Sequence, residues 1–174
     1  MSDGVEYGTL LELCQWLEST SWSIALHESI WAYPLVESIH VLTLCVFLGL
    51  TVLLDLRLLG WTLREVPITR FSQRLLPWTV GGFAIMVVTG ALLFYAIPVK
   101  TYLNIFFRLK VAFLILAGVN VAVFQFTAYR SIASWDAAPN PPLRAKVAGG
   151  VSLALWAGIV ICGRMIAYNW FDKP

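Results

Sequence analysis

The chain has 174 residues, 59% of them hydrophobic and 13% charged, with a formal net charge of +2 and a mean hydropathy of +0.77. That composition lies outside the range of soluble globular domains, and the small, dispersed positive charge argues against a nucleic-acid partner. The length suits one helical bundle without a second domain, so a single transmembrane domain is expected over the whole chain.

Residues 7–18, YGTLLELCQWLE, put Leu10, Leu11, Cys14, Trp16 and Leu17 roughly on one side and Glu12, Gln15 and Glu18 elsewhere. The pattern predicts a short amphipathic helix at the membrane interface, although it lacks the basic face many such helices carry. Ser19, Thr20 or Ser21 can cap a following turn containing Ile24, Ala25 and Leu26, and Pro34 sets the start of the first span. No Lys or Arg precedes Arg57, so the positively charged region of a signal peptide is missing and the apolar segments are expected to be retained spans.

The first span is predicted over residues 34–59, a little more than the ~20 residues that cross ~30 Å of hydrocarbon. The second covers residues 76–97, with Gly81, Gly82, Thr89 and Gly90 allowing close helix approach. The third and fourth cover residues 105–129 and 143–168, each opening with charge and closing with aromatic residues suited to an interface. VPITR and AAPNPP end helices, and PVKTYLN joins spans two and three in few residues. Short connections imply an all-α, up-down-up-down four-helix bundle.

Arg57, Arg64, Arg70 and Arg74 lie between spans one and two, and Arg130, Arg144 and Lys146 flank the loop between three and four. The positive-inside rule then places both termini outside the cytoplasm, with Lys100 and Lys173 as a minority on the outer side. Asp55 and Arg57, with Arg64, Arg70 and Arg74, read as the cytoplasmic anchor. Cys14, Cys45 and Cys162 have no metal-type spacing and read as small packing residues.

Ionisable residues inside spans are expensive and mark candidate sites. Counting inward at about 1.5 Å per residue, His40, Lys110 and Arg164 fall at a shared depth of roughly 5–10 Å from the outer surface. Glu37 shares a helix face with His40. Arg108 and Lys110 are two apart, so one is expected to snorkel outward while the other faces the bundle. A cluster of Glu37, His40, Arg108, Lys110 and Arg164 carries more positive than negative charge and favours an anionic or carboxylate-bearing ligand. The alternative is purely internal pairing, of Glu37 with Arg108 or Lys110 and of His40 with a backbone carbonyl. Asn120, in mid-span, is expected to make an interhelical hydrogen bond worth about 1 kcal/mol.

A b-type haem is one candidate ligand, with His40 as the metal-binding residue and Arg or Lys meeting the propionates. A quinone-like head group is another. His27, the only other histidine, lies before Pro34 and reaches His40 only if the chain folds back. Otherwise the iron is five-coordinate, has a non-His ligand, or bridges two chains.

At ESIWAYPLVESIH, LLDLRLLG, RLLPW, FRLK and AGVN the chain resembles an uncharacterised family of bacterial four-span membrane proteins, a domain of unknown function. The likeness covers about Leu10 to Tyr168 and implies a bacterial inner-membrane location without an activity. More distantly, His40 in the first span and Lys110 early in the third resemble the haem-binding membrane protoporphyrinogen oxidases and the copper-resistance membrane family. That resemblance implies a haem or metal ligand at His40. Gln125 stands where a second histidine of those families is expected.

Together these features predict a small integral membrane subunit of a redox or metal-handling assembly, contacting lipid and either other membrane subunits or a second copy. The rival expectations are a structural subunit or assembly factor without cofactor, and a small transporter. Whether the chain is an enzyme is left open.

Overall fold

In the computed structural model, residues 9–168 are described, and they are all-helical. The chain opens with two short helices, α1 (Thr9–Glu18) and α2 (Ser21–Glu28). Four long helices, α3 (Ala32–Leu59), α4 (Ile68–Ala96), α6 (Ile105–Phe126) and α7 (Leu143–Ile166), are each long and apolar enough to cross a membrane. The six-residue α5 (Pro98–Leu103) links α4 to α6. Residues 7 and 8 of the N-terminal amphipathic stretch, and Lys173, lie outside the described residues.

The long helices alternate in direction. α1, α2 and α5 gather at one end, here the terminal end, and the α3–α4 and α6–α7 connections form the opposite loop end. Hydropathy places the second span at residue 76, whereas α4 begins at Ile68. The polar stretch ITRFSQR continues the same helix beyond the apolar part, because length in lipid and length of helix are set by different forces. The third span stops at Phe126, and residues 129–134 form a separate 3₁₀ turn after Thr127.

Each boundary has a local cause. Thr20 caps α2, its hydroxyl accepting from Ser23 N–H. α3 ends where Gly60 takes the left-handed conformation (φ 75°), its N–H bonding to Arg57 C=O and Trp61 N–H to Leu56 C=O, a closure that favours glycine. Asn104 ends α5 and starts α6, its side chain accepting from Phe106 N–H at 2.9 Å. Ser23 and Thr20 tie α2 to α4, through the Tyr95 carbonyl at 2.8 Å and the Tyr95 hydroxyl at 2.6 Å. Cys14 buries one side of α1, while Leu10, Leu13 and Trp16 remain exposed.

The packing order is α4–α3–α7–α6. Phe47, Met86, Ala117, Trp156 and Ile159 form the central core. Leu58, Ile68, Ala128, Trp135 and Ala145 form a second one at the loop end. Gly149 lets α7 meet α3 closely: a Cβ there would lie 2.9 Å from the Asp55 carbonyl oxygen. Asn120 Nδ2–H donates to Ala148 C=O at 3.0 Å, the expected interhelical bond. Trp16, Trp22 and Trp31 are exposed towards the terminal end, and Trp61 and Trp78 towards the loop end, an arrangement suited to the two interfaces of a bilayer.

The expectation that Asp55 and Arg57 anchor the loop end at the membrane surface is corrected by the structure. Arg57 is fully buried. Its guanidinium donates to the carbonyls of Val66 (3.0 Å), Arg64 (3.2 Å) and Ala138 (3.3 Å), clasping both loops. A planar fork with several donors can serve three carbonyls at once, and that internal demand overrides exposure to head groups. Asp55 is also buried, facing the interior between helices.

Asp136 completes the loop end. Its carboxylate accepts from Thr69 N–H and the Thr69 hydroxyl, each at 2.7 Å, capping α4 from a distant loop. Burial pushes this carboxyl up, but the Thr69 and Ile68 amides, the Thr69 hydroxyl and the Arg57 charge outweigh it and hold it below the ordinary carboxylate range.

Candidate functional site

The residues expected to share a depth near the terminal end separate into an inward and an outward set. His40 on α3 and Lys110 on α6 are half-buried, and Lys110 is close enough to act electrostatically on the His40 ring. Glu37, Arg108 and Arg164 are exposed. Arg108 lies over the Tyr102 ring at 5.3 Å and donates to the Tyr102 carbonyl. Arg164 lies over the Tyr168 ring at 5.2 Å. Of the Arg108 and Lys110 pair, Arg108 is therefore the one that snorkels.

The helix surface accounts for this division. Residues three apart differ by about 60° around a helix, enough to leave Glu37 on the outside while His40 turns to α4. Glu37 lies one turn nearer the helix end, where its electrostatic neighbour is Tyr33. His27 is exposed and edge-on to the Tyr33 ring at 6.4 Å, at the terminal end.

Three residues that composition alone does not single out for this site shape it. Gly90 on α4 makes room for the imidazole, since a Cβ there would lie 3.3 Å from His40 Cε1. Gly163 on α7 lies beside Lys110, whose Nζ is 3.7 Å from the position a Cβ would take, an ordinary contact distance. Thr89, buried on α4, sits 2.8 Å from His40 Nδ1.

Thr89 sets the imidazole's orientation and tautomer. Its Oγ1 lies 2.7 Å from the Ile85 carbonyl oxygen, and two lone-pair oxygens at that separation need a proton between them. The threonine proton is therefore directed to Ile85, and Oγ1 accepts from His40 Nδ1–H. A neutral His40 thus keeps its Nε2 lone pair for another partner. Metal-ligating histidines are held the same way, with one ring nitrogen donating to a fixed acceptor.

Among the described residues no group of three His, Cys, Asp or Glu side chains can hold a metal ion. A porphyrin supplies four nitrogens itself and needs only an axial donor from the protein, whereas a bare ion needs several protein ligands. Cys162, the electrostatic neighbour of Lys110, is buried and unpaired.

The fold and this site define a four-span membrane protein with an oriented histidine and a lysine inside the bundle. Residues 24–169 match the model of a family of unknown function (DUF6644), and the chain belongs to that family. No curated protein and no solved structure matches it.

Proposed function

We propose that the chain is a small integral membrane subunit of a redox assembly and that His40 is the axial ligand of a b-type haem. The observation that supports this reading is the Thr89–His40 hydrogen bond, which leaves Nε2 as a donor towards a metal centre. Lys110 supplies the positive charge for a propionate, the pairing that carboxylates in low-dielectric surroundings require. The haem contributes one-electron chemistry. The protein contributes the ligand, its orientation and the exclusion of water.

On this reading the terminal end faces the outside of a bacterial inner membrane, in accord with the basic residues at the loop end. Partner subunits or a second copy meet the lipid-facing sides of the helices.

A reduced-minus-oxidised visible spectrum of the detergent-purified protein tests the proposal, alongside His40→Ala and Thr89→Val. The expected result is a Soret and α-band pair that is lost in His40→Ala. In Thr89→Val, haem affinity falls by about 10- to 100-fold, the usual cost of removing a ligand's outer partner. A featureless spectrum of the intact protein after haem supplementation overturns the proposal.

A further inference from the structure

α4 and α6 stand apart along the loop-end half of the bundle, leaving a cleft of about 510 Å³ floored by α3 and α7. It runs along α4 from Ile68 to Phe83 and along α6 from Leu114 towards Tyr129, a length of about 22 Å at 1.5 Å per residue. Volume and lining are those of a small-molecule site, with apolar walls and few polar groups. The walls include the rings of Phe47, Phe83, Phe124, Tyr129 and Trp156.

Asp55 lies in the floor of this cleft. Its side chain is only 4% exposed, and Oδ2 is buried with no hydrogen-bond partner among the described residues. The Ser152 hydroxyl is its polar neighbour from α7, and among the described residues no Lys or Arg lines the cleft. Arg57, two residues on, gives Nε and Nη2 to the loop carbonyls, while its buried Nη1 has no hydrogen-bond partner among the described residues. A buried carboxyl oxygen without a donor is costly, and in a membrane helix such a residue marks a functional position.

We propose that this cleft binds a lipophilic amine, its ammonium at Asp55 and its apolar body between α4 and α6. Charge complementarity selects the head group: the cleft lining carries an acid and no base among the described residues. The aromatic walls favour the same class, because ring faces attract a cation when water is excluded. The gap between α4 and α6 gives a lipid-dissolved ligand a lateral way in. Asp55 lies about fifteen residues from His40 along α3, or about 22 Å, so this site is independent of the haem proposal.

The test uses the full chain in lipid nanodiscs and two photoreactive probes of equal chain length, a diazirine-bearing long-chain amine and the corresponding alcohol. Labelled positions are mapped by peptide mass spectrometry. The amine is expected to label α4 and α6 residues of the cleft at least tenfold more than the alcohol does, and Asp55→Asn is expected to remove that preference. Gly118→Phe provides a second variant: Gly118 lines the cleft and a Cβ there meets nothing within 4 Å, so the new ring is expected to occupy the site. Loss of cleft labelling in Gly118→Phe supports the proposal even if Asp55→Asn does not fold. Equal labelling by amine and alcohol, or amine labelling unchanged in either variant, overturns it.

Discussion

Replacing Arg57 is expected to loosen the loop end of the bundle more than any other single charged substitution. In Arg57→Met the apolar stem is approximated but three charge-assisted hydrogen bonds are lost, to the carbonyls of Val66, Arg64 and Ala138. Such bonds are worth roughly 1.5–3 kcal/mol each. Two of the three are long, and the freed carbonyls belong to residues that are not fully buried, so water recovers part of the loss. The net cost is then roughly 3–5 kcal/mol rather than the full sum. For a chain of this size that lowers Tm by roughly 6–20 °C. Arg57→Lys keeps the charge but presents a single ammonium in place of a fork, and is expected to lose roughly 2–3 kcal/mol. Thermal unfolding in one detergent, followed by circular dichroism, checks both values. If Arg57→Met melts within about 2 °C of the unaltered protein, or Arg57→Lys is the worse of the two, the argument from the three carbonyls is wrong.

Asp136 ties stability to pH. Its folded-state carboxyl is held below the ordinary range, so its contribution is complete above the unfolded value of about 3.9 and is lost as pH falls through the folded value. Asp136→Asn should flatten the fall in Tm below about pH 4, and an unchanged acid limb would contradict the capping role. Gly149→Ala is expected to cost roughly 1–3 kcal/mol because its Cβ meets the Asp55 backbone oxygen at 2.9 Å. Gly118→Ala, with open space around it, should be neutral or stabilise by up to about 1 kcal/mol; similar melting temperatures for the two variants would count against the close α3–α7 approach. The proposed orientation predicts that a membrane-impermeant maleimide labels Ser19→Cys in intact cells and labels Ala137→Cys only after lysis. The reverse pattern inverts the topology.

The spans are legible in the sequence because an apolar run of about twenty residues is long enough to cross a bilayer and too long for most buried helices of a chain this small. The shared depth of His40, Lys110 and Arg164 follows from counting along helices that alternate in direction. Rotation about each helix is not legible, since helices apolar nearly all round have no strong face to orient them. For that reason shared depth groups Arg164, and three-residue spacing groups Glu37, with His40, although the structure turns both outward. Asp55 and Arg57 mislead for a related reason. Charges at the end of a span usually meet head groups, and only the loops folding back over Arg57 reveal that its partners are carbonyls. The role of Asp136 is hidden in the sequence because its partner, Thr69, is far away along the chain.

A membrane bundle allows every ionisable group to be traced to what compensates it, and most of those near or inside the spans can be. Arg57 is met by carbonyls, Asp136 by a helix start, and Arg108 and Arg164 by aromatic faces at the exposed end. Two groups within the bundle have no opposite charge beside them among the described residues: Lys110, whose electrostatic neighbour is a thiol, and Asp55, whose polar neighbour is a hydroxyl. They lie in opposite halves of the membrane thickness, too far apart to neutralise one another, since attraction at about 20 Å is a small fraction of that at contact. Under the two proposals an anionic group meets Lys110 and a cationic one meets Asp55, and the spectroscopic and photolabelling experiments examine them separately.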